Sequence, residues 1–208
     1  MLGRRSPGAA KPRRSLVARN EGRRVIWVRH LAAWLVIALL GACAGPRGGA
    51  PPLRDPHRIS ALASAIEDLG RPVARDEAYR AAHWLVTRAE QLRSDYRMIR
   101  PAQLHNLFVH LGLRERGLCC HFAEDLIAGL LGLELRTLDV HWVVARYGSR
   151  LREHSSVLLA PSGRDLEQGL VVDGWRRAGE LVWARVPADR YPWELHPMSG
   201  EWALLHCR

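Results

Sequence analysis

The sequence lacks internal repeats and has no apolar run long enough to cross a membrane comfortably. The absence of repeats argues against a solenoid or a propeller. The most apolar stretch, residues 31–45 (LAAWLVIALLGACAG), is shorter than the ~20 residues that a transmembrane helix needs. A basic region ahead of a short apolar core is typical of a secretory signal peptide. The stretch therefore predicts an export signal.

The greater part of the chain also lacks an excess of either charge. The formal net charge is +10, but residues 1–42 hold nine Lys and Arg against one acid, Glu21. The rest holds 22 basic and 20 acidic residues, a net charge of +2. No basic stripe interleaved with aromatic residues occurs there, so the sequence predicts no nucleic-acid partner.

The apolar core ends in L-G-A-C at residues 40–43, which resembles the bacterial lipobox. The resemblance implies that Cys43 is lipidated and becomes the new N-terminus. Several acyl chains together anchor a protein stably to a membrane. Ala44, where an acid would be the alternative, favours the outer membrane, with the protein facing the periplasm. A signal anchor that contains a chance cysteine is the alternative.

The chain divides into three parts by composition. Residues 1–42 form the basic region and the lipoprotein signal peptide, and the Gly- and Pro-rich residues 43–57 have the composition of a tether. Residues 58–208 are long enough for one folded domain.

The hydrophobic pattern changes along this domain from a helical period to that of strands. Helices are expected first and an antiparallel meander second, which is an α+β layout. The helix that begins at Cys119 is apolar around most of its circumference, so it should be largely buried. The predicted helices lie near residues 59–69, 78–96, 104–111 and 119–132, and the predicted strands are 137–148, 155–161, 170–175 and 180–186.

Three cysteines remain in the mature chain when Cys43 is lipidated: Cys119, Cys120 and Cys207. Since three is odd, at least one thiol is unpaired or bonds another molecule. Cys119 lies at a predicted helix start, where the helix dipole lowers a thiol pKa below its ordinary ~8.5 and favours the nucleophilic thiolate. The alternatives are a small buried residue for Cys119, and a core residue or a disulfide partner of Cys207 for Cys120.

A thiolate enzyme also needs a base, and the base needs an acceptor that orients it. His154 begins one predicted strand and Asp173 lies near the end of another. A hairpin that turns symmetrically between residues 163 and 164 would place the two within a residue or two of each other on adjacent strands. His141, in the preceding strand, is the rival base.

These residues resemble those of a known family. The stretch G-L-C-C-H-F-A at residues 117–123 is followed by L-L-G-L-E-L-R at residues 130–136, then by the strands that carry His154 and Asp173. This order resembles the transglutaminase-like branch of the papain-like cysteine enzymes. The resemblance implies that Cys119 is the nucleophile, that His154 is the general base and acid, and that Asp173 fixes the imidazole tautomer. It also implies the papain-like core, in which the helix carrying the nucleophile packs on an antiparallel sheet.

Polar and aromatic residues nearby complete the predicted site. Gln103 and Asn106, from the preceding helix, are candidates to stabilise an oxyanion together with the backbone N–H groups at the start of the cysteine helix. Trp142 and Trp175 are candidates to form the walls of a substrate groove.

The sequence predicts no metal and no cofactor. Cys119, Cys120 and His121 are adjacent, but they lack the C-x-x-C or H-x-x-x-H spacing that places two ligands on one ion. His121 is instead expected on a polar strip with Glu124 and Asp125, solvated or hydrogen-bonded to one of them.

The sequence thus predicts a bacterial envelope lipoprotein that acts on an amide bond of a peptide or protein substrate. It would be a cysteine peptidase, and so a hydrolase, or an acyl transferase, depending on whether water or an amine is the acceptor. The alternative is a catalytically inactive lipoprotein that holds a peptide or a protein partner in the same groove. A cell-wall endopeptidase of a permuted family is a further alternative, but its usual Asp-Cys-Ser-Gly stretch is absent.

Overall fold

The computed structural model describes residues 55–70, 72–149, 152–197 and 199, all within the compact unit Ala50–Arg208. The predicted signal peptide, the lipidation of Cys43, most of the tether and the pairing of Cys207 lie outside the described residues. In the part of the chain that is described, no helix combines the length and the apolarity that crossing a membrane requires.

The first half of the described chain is helical. Asp55 caps the first helix, because its Oδ1 accepts the backbone N–H of His57 at 2.9 Å and Pro56 occupies the first helical position. Residues 56 and 57, which the sequence assigned to the tether, therefore begin this helix. The helices in chain order are α1 (Pro56–Glu67), α2 (Arg75–Asp95), α3 (Ala102–His110) and α4 (Cys119–Leu131).

The acidic residue Glu77 fastens α2 to the segment that leads into the sheet. Its carboxylate accepts the backbone N–H groups of Arg136 at 2.9 Å and Thr137 at 2.8 Å, and the Thr137 hydroxyl at 2.7 Å. Burial opposes the charge, but these hydrogen bonds hold the pKa of Glu77 below its ordinary value. A buried carboxylate with three donors therefore fixes α2 against the strands.

Helix α3 differs from the sequence expectation. Two of the apolar residues that predicted it do not face the core, since Leu107 is 50% exposed and Leu111 is 61% exposed. The helix buries Ala102 and His105 instead. The His105 side chain is satisfied inside the protein, because Nε2–H donates to the carbonyl of Arg116 at 2.9 Å. A short helix at the periphery thus packs through its small residue and a hydrogen-bonded histidine.

A five-stranded antiparallel sheet follows the helices, with the spatial order β4-β3-β2-β1-β5. The first four strands match the predicted strands closely. The fifth was not predicted, because three residues are too few for a recognisable alternation. The strands are β1 (Leu138–Ala145), β2 (His154–Pro161), β3 (Leu170–Arg177), β4 (Glu180–Arg185) and β5 (Trp193–Leu195).

Helix α4 packs on one face of this sheet, as predicted. Its residues Phe122, Leu126 and Leu130 are at most 1% exposed and share a core cluster with residues of β2 and β3. Gly174 permits the close approach, since a Cβ at that position would lie 2.8 Å from the Phe122 ring. The α+β architecture is therefore confirmed, and α4, which begins at Cys119, contacts β1, β2 and β3 of the sheet.

Candidate active site

Cys119 is the first residue of α4, and its position depends on the glycine two residues before it. Gly117 has φ +124°, a conformation that side-chain-bearing residues rarely adopt, and a Cβ there would overlap the imidazole of His105. Leu118 is extended, and its carbonyl accepts the N–H of Phe122 at 3.2 Å to begin the helix. The Cys119 thiol is free and half-buried.

His121 caps this helix start from inside. Its Nδ1 accepts the backbone N–H groups of Gly117 at 3.1 Å and Leu118 at 3.3 Å, and the residue is only 6% exposed. Of the two expectations for His121, the one that it is solvated is therefore wrong. The physical reason is that a side chain at the third helical position can reach back to the backbone before the helix, and the imidazole does so here.

His154 and Asp173 meet as the hairpin argument predicted. The Nε2 atom of His154 lies 2.5 Å from Oδ2 of Asp173, and both side chains are at most 3% exposed. Val157 pairs with Val172, so the centre of the hairpin lies one residue later than the symmetric turn assumed from the sequence. The two residues are still close enough to bond diagonally across β2 and β3, so their predicted proximity is confirmed.

The second ring nitrogen of His154, Nδ1, is the one that remains for Cys119. Nδ1 is buried and has no hydrogen-bond partner, while Asp173 occupies Nε2. The interaction with Cys119 that raises the pKa of His154 therefore falls on Nδ1. Burial lowers this pKa, but the Asp173 charge, its hydrogen bond and Cys119 together raise it to about 10. His154 is an imidazolium at neutral pH, facing a carboxylate on one side and a thiol on the other.

Asp173 is held by more than the histidine. Its Oδ1 accepts the backbone N–H groups of Trp175 at 2.8 Å and Arg176 at 3.0 Å, and its Oδ2 accepts Nε–H of Arg176 at 2.7 Å. Burial raises the pKa of Asp173, but the His154 and Arg176 charges and these bonds outweigh burial and lower it. The carboxylate is thus ionised and has one fixed orientation.

Three aromatic rings surround the His154 imidazole. Their centroids lie 4.8 Å (Tyr191), 5.0 Å (Trp175) and 5.5 Å (Trp193) from that of the imidazole. Tyr191 and Trp193 were not part of the predicted site. The structure places them beside the imidazole, because β5 pairs with β1 and brings Trp193 opposite Ala145.

The two tryptophans predicted to wall a groove occupy different places. Trp175 is 7% exposed and lies against His154. Trp142 is 3% exposed and stacks on His196 with a centroid distance of 4.4 Å. The structure therefore brings Trp175 to the site, while Trp142 lies three residues along β1 from Ala145, the residue that pairs with His154.

Of the two oxyanion candidates, Asn106 is the one tied to the site. Its Oδ1 accepts Nε1–H of Trp175 at 3.0 Å. Because an indole N–H can only donate, this bond fixes the amide orientation and leaves Nδ2 as a donor. Gln103 is exposed, on the same helix.

The rival base His141 lies elsewhere on β1. It pairs with Leu158, whereas Ala145 pairs with His154. Four residues of extended chain separate these positions, about 13 Å along the strand. Burial lowers the pKa of His141. The structure therefore brings His154, and not His141, to the thiol.

Cys120 and the metal alternative are resolved together. Cys120 is disulfide-bonded, and since Cys119 is free, its partner lies outside the described residues, as Cys207 does. Cys120 is thus not a free thiolate ligand, and Nδ1 of His121 is occupied by backbone donors. Within the described ranges, no group of three or more His, Cys, Asp or Glu side chains could hold a metal ion.

The sequence analysis missed two charged residues that adjoin this arrangement. Arg176 donates to Asp173 and also makes two bonds to the carboxylate of Asp189, at 3.1 and 2.5 Å. A register shift in β3 between Asp173 and Arg177 and a 3-10 turn at Val186–Ala188 bring these residues together. Neither irregularity has a periodic signature, so the sequence offered no signal for the contact.

The arrangement contains the groups needed to form a covalent acyl intermediate and to protonate its leaving group. A free thiol lies at a helix start, it helps to raise the pKa of His154, and a buried carboxylate bonds the imidazole. Thiol-dependent acyl transfer uses a nucleophile, a base and an orienting group of these three chemical types. No protein-family model, no curated protein and no solved structure matches this chain.

Proposed function

We propose that this protein is a cysteine-dependent amide-bond hydrolase or acyl transferase, with Cys119 as nucleophile, His154 as general acid and base, and Asp173 as the orienting carboxylate. One observation carries the proposal: the buried His154 bonds Asp173 through Nε2, its other nitrogen makes no hydrogen bond, and the free Cys119 helps to raise its pKa. A buried, unsolvated His–Asp pair next to a free thiol is costly to maintain as mere packing. Chemistry explains its presence better than stability does.

The reaction follows from which protons the imidazole holds. The thiolate sulfur of Cys119 attacks the substrate carbonyl carbon, and a tetrahedral oxyanion forms. Nδ1–H of His154 then protonates the leaving nitrogen, the C–N bond breaks and a thioester remains on Cys119. Water or an amine gives its proton to Nδ1 and attacks the thioester, which releases the acid or the transferred amide. The Nε2–H group of His154 stays hydrogen-bonded to Asp173 throughout, and this bond keeps the imidazole in one tautomer.

The proposal assigns the oxyanion to donors at the start of α4 and on α3. The first N–H groups of an α-helix have no intrahelical acceptor, and Cys119 opens α4. Asn106 offers Nδ2, because Trp175 holds its oxygen. Loss of one such donor typically costs about 10²–10³ in rate.

The same proposal places the protein in the bacterial cell envelope, lipidated at Cys43 and attached to the outer membrane on its periplasmic side. Its substrate there would be a peptide or a protein. Support comes from the sequence alone: the L-G-A-C motif at residues 40–43 follows a basic region and an apolar core. The transglutaminase-like branch of the papain-like fold is proposed on the same footing, from the order of Cys, His and Asp and from a cysteine helix on an antiparallel sheet.

Thiol alkylation tests the proposed nucleophile. The full-length protein is treated with iodoacetamide between pH 5 and 9 without reductant, and the modified peptides are identified by mass spectrometry. Cys119 should react rapidly even well below pH 8.5, because a neighbouring imidazolium favours the thiolate. The variant His154→Ala should slow the reaction at low pH by about tenfold or more. Slow alkylation of wild-type Cys119 at every pH would contradict the proposal.

The adjacent cysteine provides a matched control. Cys119→Ala should abolish the rapid modification, whereas Cys120→Ala should retain it at Cys119. Because Cys120 is disulfide-bonded, its replacement frees another thiol, so the modification has to be measured on the Cys119 peptide itself. The opposite pattern would refute the assignment. A Cys119 that reacts slowly in a folded protein that still binds peptides would favour the inactive binding lipoprotein.

A further inference from the structure

A chain of four alternating charges runs through the interior behind the thiol. It comprises His154, Asp173, Arg176 and Asp189, and its links are 2.5 Å, 2.7 Å and, for the two bonds between Arg176 and Asp189, 3.1 and 2.5 Å. The side chains of Asp173 and Asp189 are each 2% exposed, and that of Arg176 is 17% exposed. Buried ion pairs joined by such short hydrogen bonds interact far more strongly than ion pairs at the surface.

The geometry of Arg176 suits it to control one oxygen atom. Its Nε–H bonds Oδ2 of Asp173, the same oxygen that faces Nε2 of His154. Its two terminal nitrogens bond the two oxygens of Asp189 in a fork, which fixes the plane of the guanidinium. Rotation of the Asp173 carboxylate would break the bond to Arg176 and the bond to His154 together.

Aromatic rings hold the guanidinium from its faces. Its central carbon lies 4.7 Å from the ring centroid of Tyr191 and 5.6 Å from that of Trp193. These are the same rings that pack on His154. The imidazolium and the guanidinium therefore share one aromatic enclosure, and both are fixed by it.

We propose that Arg176 and Asp189 are positioning residues of the thiol site: Arg176 locks the Asp173 carboxylate in the rotamer that orients His154, and Asp189 locks Arg176. This inference rests on the proposed function, since positioning matters only if Cys119 and His154 react. Asp189 also balances the charge of Arg176, so that the guanidinium does not draw Asp173 away from the imidazolium.

The charged and titratable groups around His154 determine the expected pH effects. Cys119 faces it from α4, Asp173 and Arg176 from β3, and Asp189 and Tyr191 from the segment between β4 and β5. Two further arginines, Arg146 and Arg190, lie over the ring of Tyr191 at 5.7 and 5.1 Å. Removing the Arg176 charge makes this surrounding more negative, and removing the Asp189 charge makes it more positive.

The test uses the full-length protein and two readouts. The first is the pH dependence of Cys119 alkylation by iodoacetamide. Arg176→Gln should move the acid limb to higher pH by about one unit, a tenfold loss of rate on that limb, and Asp189→Asn should move it to lower pH. The second readout is the downfield proton NMR signal of Nε2–H in His154, assigned by its loss in His154→Ala. This signal should shift or broaden in Arg176→Gln, because Oδ2 of Asp173 is no longer held.

Conservative and control variants separate positioning from charge and from folding. Arg176→Lys keeps the charge but cannot bond both carboxylates, so it should restore the alkylation profile more fully than the NMR signal. Arg177→Gln, on the next residue with a 62% exposed side chain, should change neither readout. Circular dichroism identifies any variant that does not fold, and the Lys variant then supplies the test.

Two results would overturn the inference. One is a folded Arg176→Gln or Arg176→Lys protein with a wild-type NMR signal and alkylation profile. The other is a shift in the same direction for Arg176→Gln and Asp189→Asn. If wild-type Cys119 does not react at any pH but the His154 signal still responds to Arg176, the positioning contact is real and the proposed activity fails instead.

Discussion

Replacement of Asp173 by asparagine is the perturbation whose size can best be worked out from the structure. The carboxylate is 2% exposed and accepts bonds from His154, Arg176 and the backbone of Trp175. The asparagine side chain would keep the shape but lose the charge. Burial, the largest single influence, would still lower the pKa of His154, and only Cys119 would remain to oppose it. We therefore expect the pKa of His154 to fall well below its wild-type value of about 10.

The same shift is a statement about stability. A pKa raised from 6.5 to about 10 corresponds to roughly 4–5 kcal/mol at 1.36 kcal/mol per unit. Removing one partner of a buried ion pair typically costs about 3–5 kcal/mol. The free energy of unfolding of Asp173→Asn should therefore be lower by about 3–5 kcal/mol at pH 7.

The pH dependence has a sign that can be checked. Because the folded pKa of His154 is raised, its stabilising contribution is complete below pH 6.5 and is lost as the pH rises through about 10. Because the folded pKa of Asp173 is lowered, its contribution is complete above its ordinary value of 3.8 and is lost as the pH falls through the folded value. Both describe one ion pair and must not be added. The wild type should be most stable between these limits, and Asp173→Asn should flatten both limbs.

Urea unfolding from about pH 2 to about pH 11 covers both limbs and measures the stability, and NMR titration of the His154 Cε1–H signal measures the pKa. Asp76→Asn is the control, because the Asp76 side chain is 77% exposed and forms only a surface pair with Arg80. A wild-type His154 that titrates at or below 6.5, or a variant whose titration matches the wild type, would refute the reasoning. So would a loss of stability no greater than that of the control.

Two further changes test the framework around the site. Gly117→Ala should destabilise the fold by about 2–4 kcal/mol and slow Cys119 alkylation, because the new Cβ would overlap His105 and the φ of +124° is strained for alanine. The control is Gly112→Ala, which has φ +70° and open space around it and should lower the stability by only about 1 kcal/mol. Thermal and urea unfolding of both variants would show the difference, and equal losses would contradict it. Glu77→Gln should lower the free energy of unfolding, measured in urea, by about 2–4 kcal/mol. The carboxylate of Glu77 accepts two backbone N–H groups and the Thr137 hydroxyl, whereas the NH₂ group of a glutamine would face one of these donors and could not accept from it. A loss below 1 kcal/mol would show that these bonds do not hold α2 to the sheet.

The sequence was most informative where periodicity and burial agree. Residues such as Leu85 and Phe122 lie on apolar stripes, and they are buried as the pattern requires. The pairing of His154 with Asp173 could be inferred because only a short connection separates their strands, and a pairing register that was wrong by two residues still left them in reach. Local patterns and a short connection were sufficient in these cases.

Contacts between irregular segments could not be inferred in this way. The contact of Arg176 with Asp189 depends on a register shift and a 3-10 turn. A histidine at the third helical position can either cap the helix start or point into solvent. His121 caps because the backbone of residues 117 and 118 turns its N–H groups toward Nδ1, which the sequence pattern does not show. Leu107 shows the converse error, because helical spacing of apolar residues does not guarantee that a peripheral helix has a core to face.

The pairing of β5 with β1 sets the order in which the site can be completed during folding. Trp193 lies opposite Ala145, about fifty residues earlier in the chain, and it closes one side of the imidazole enclosure. A growing chain that ends before this strand can already form α4 and the β2–β3 hairpin, which are local. It cannot yet enclose His154. The imidazole of His154 would therefore stay incompletely enclosed until nearly the last described residues have been added, so that its surroundings are among the final features of the fold to form.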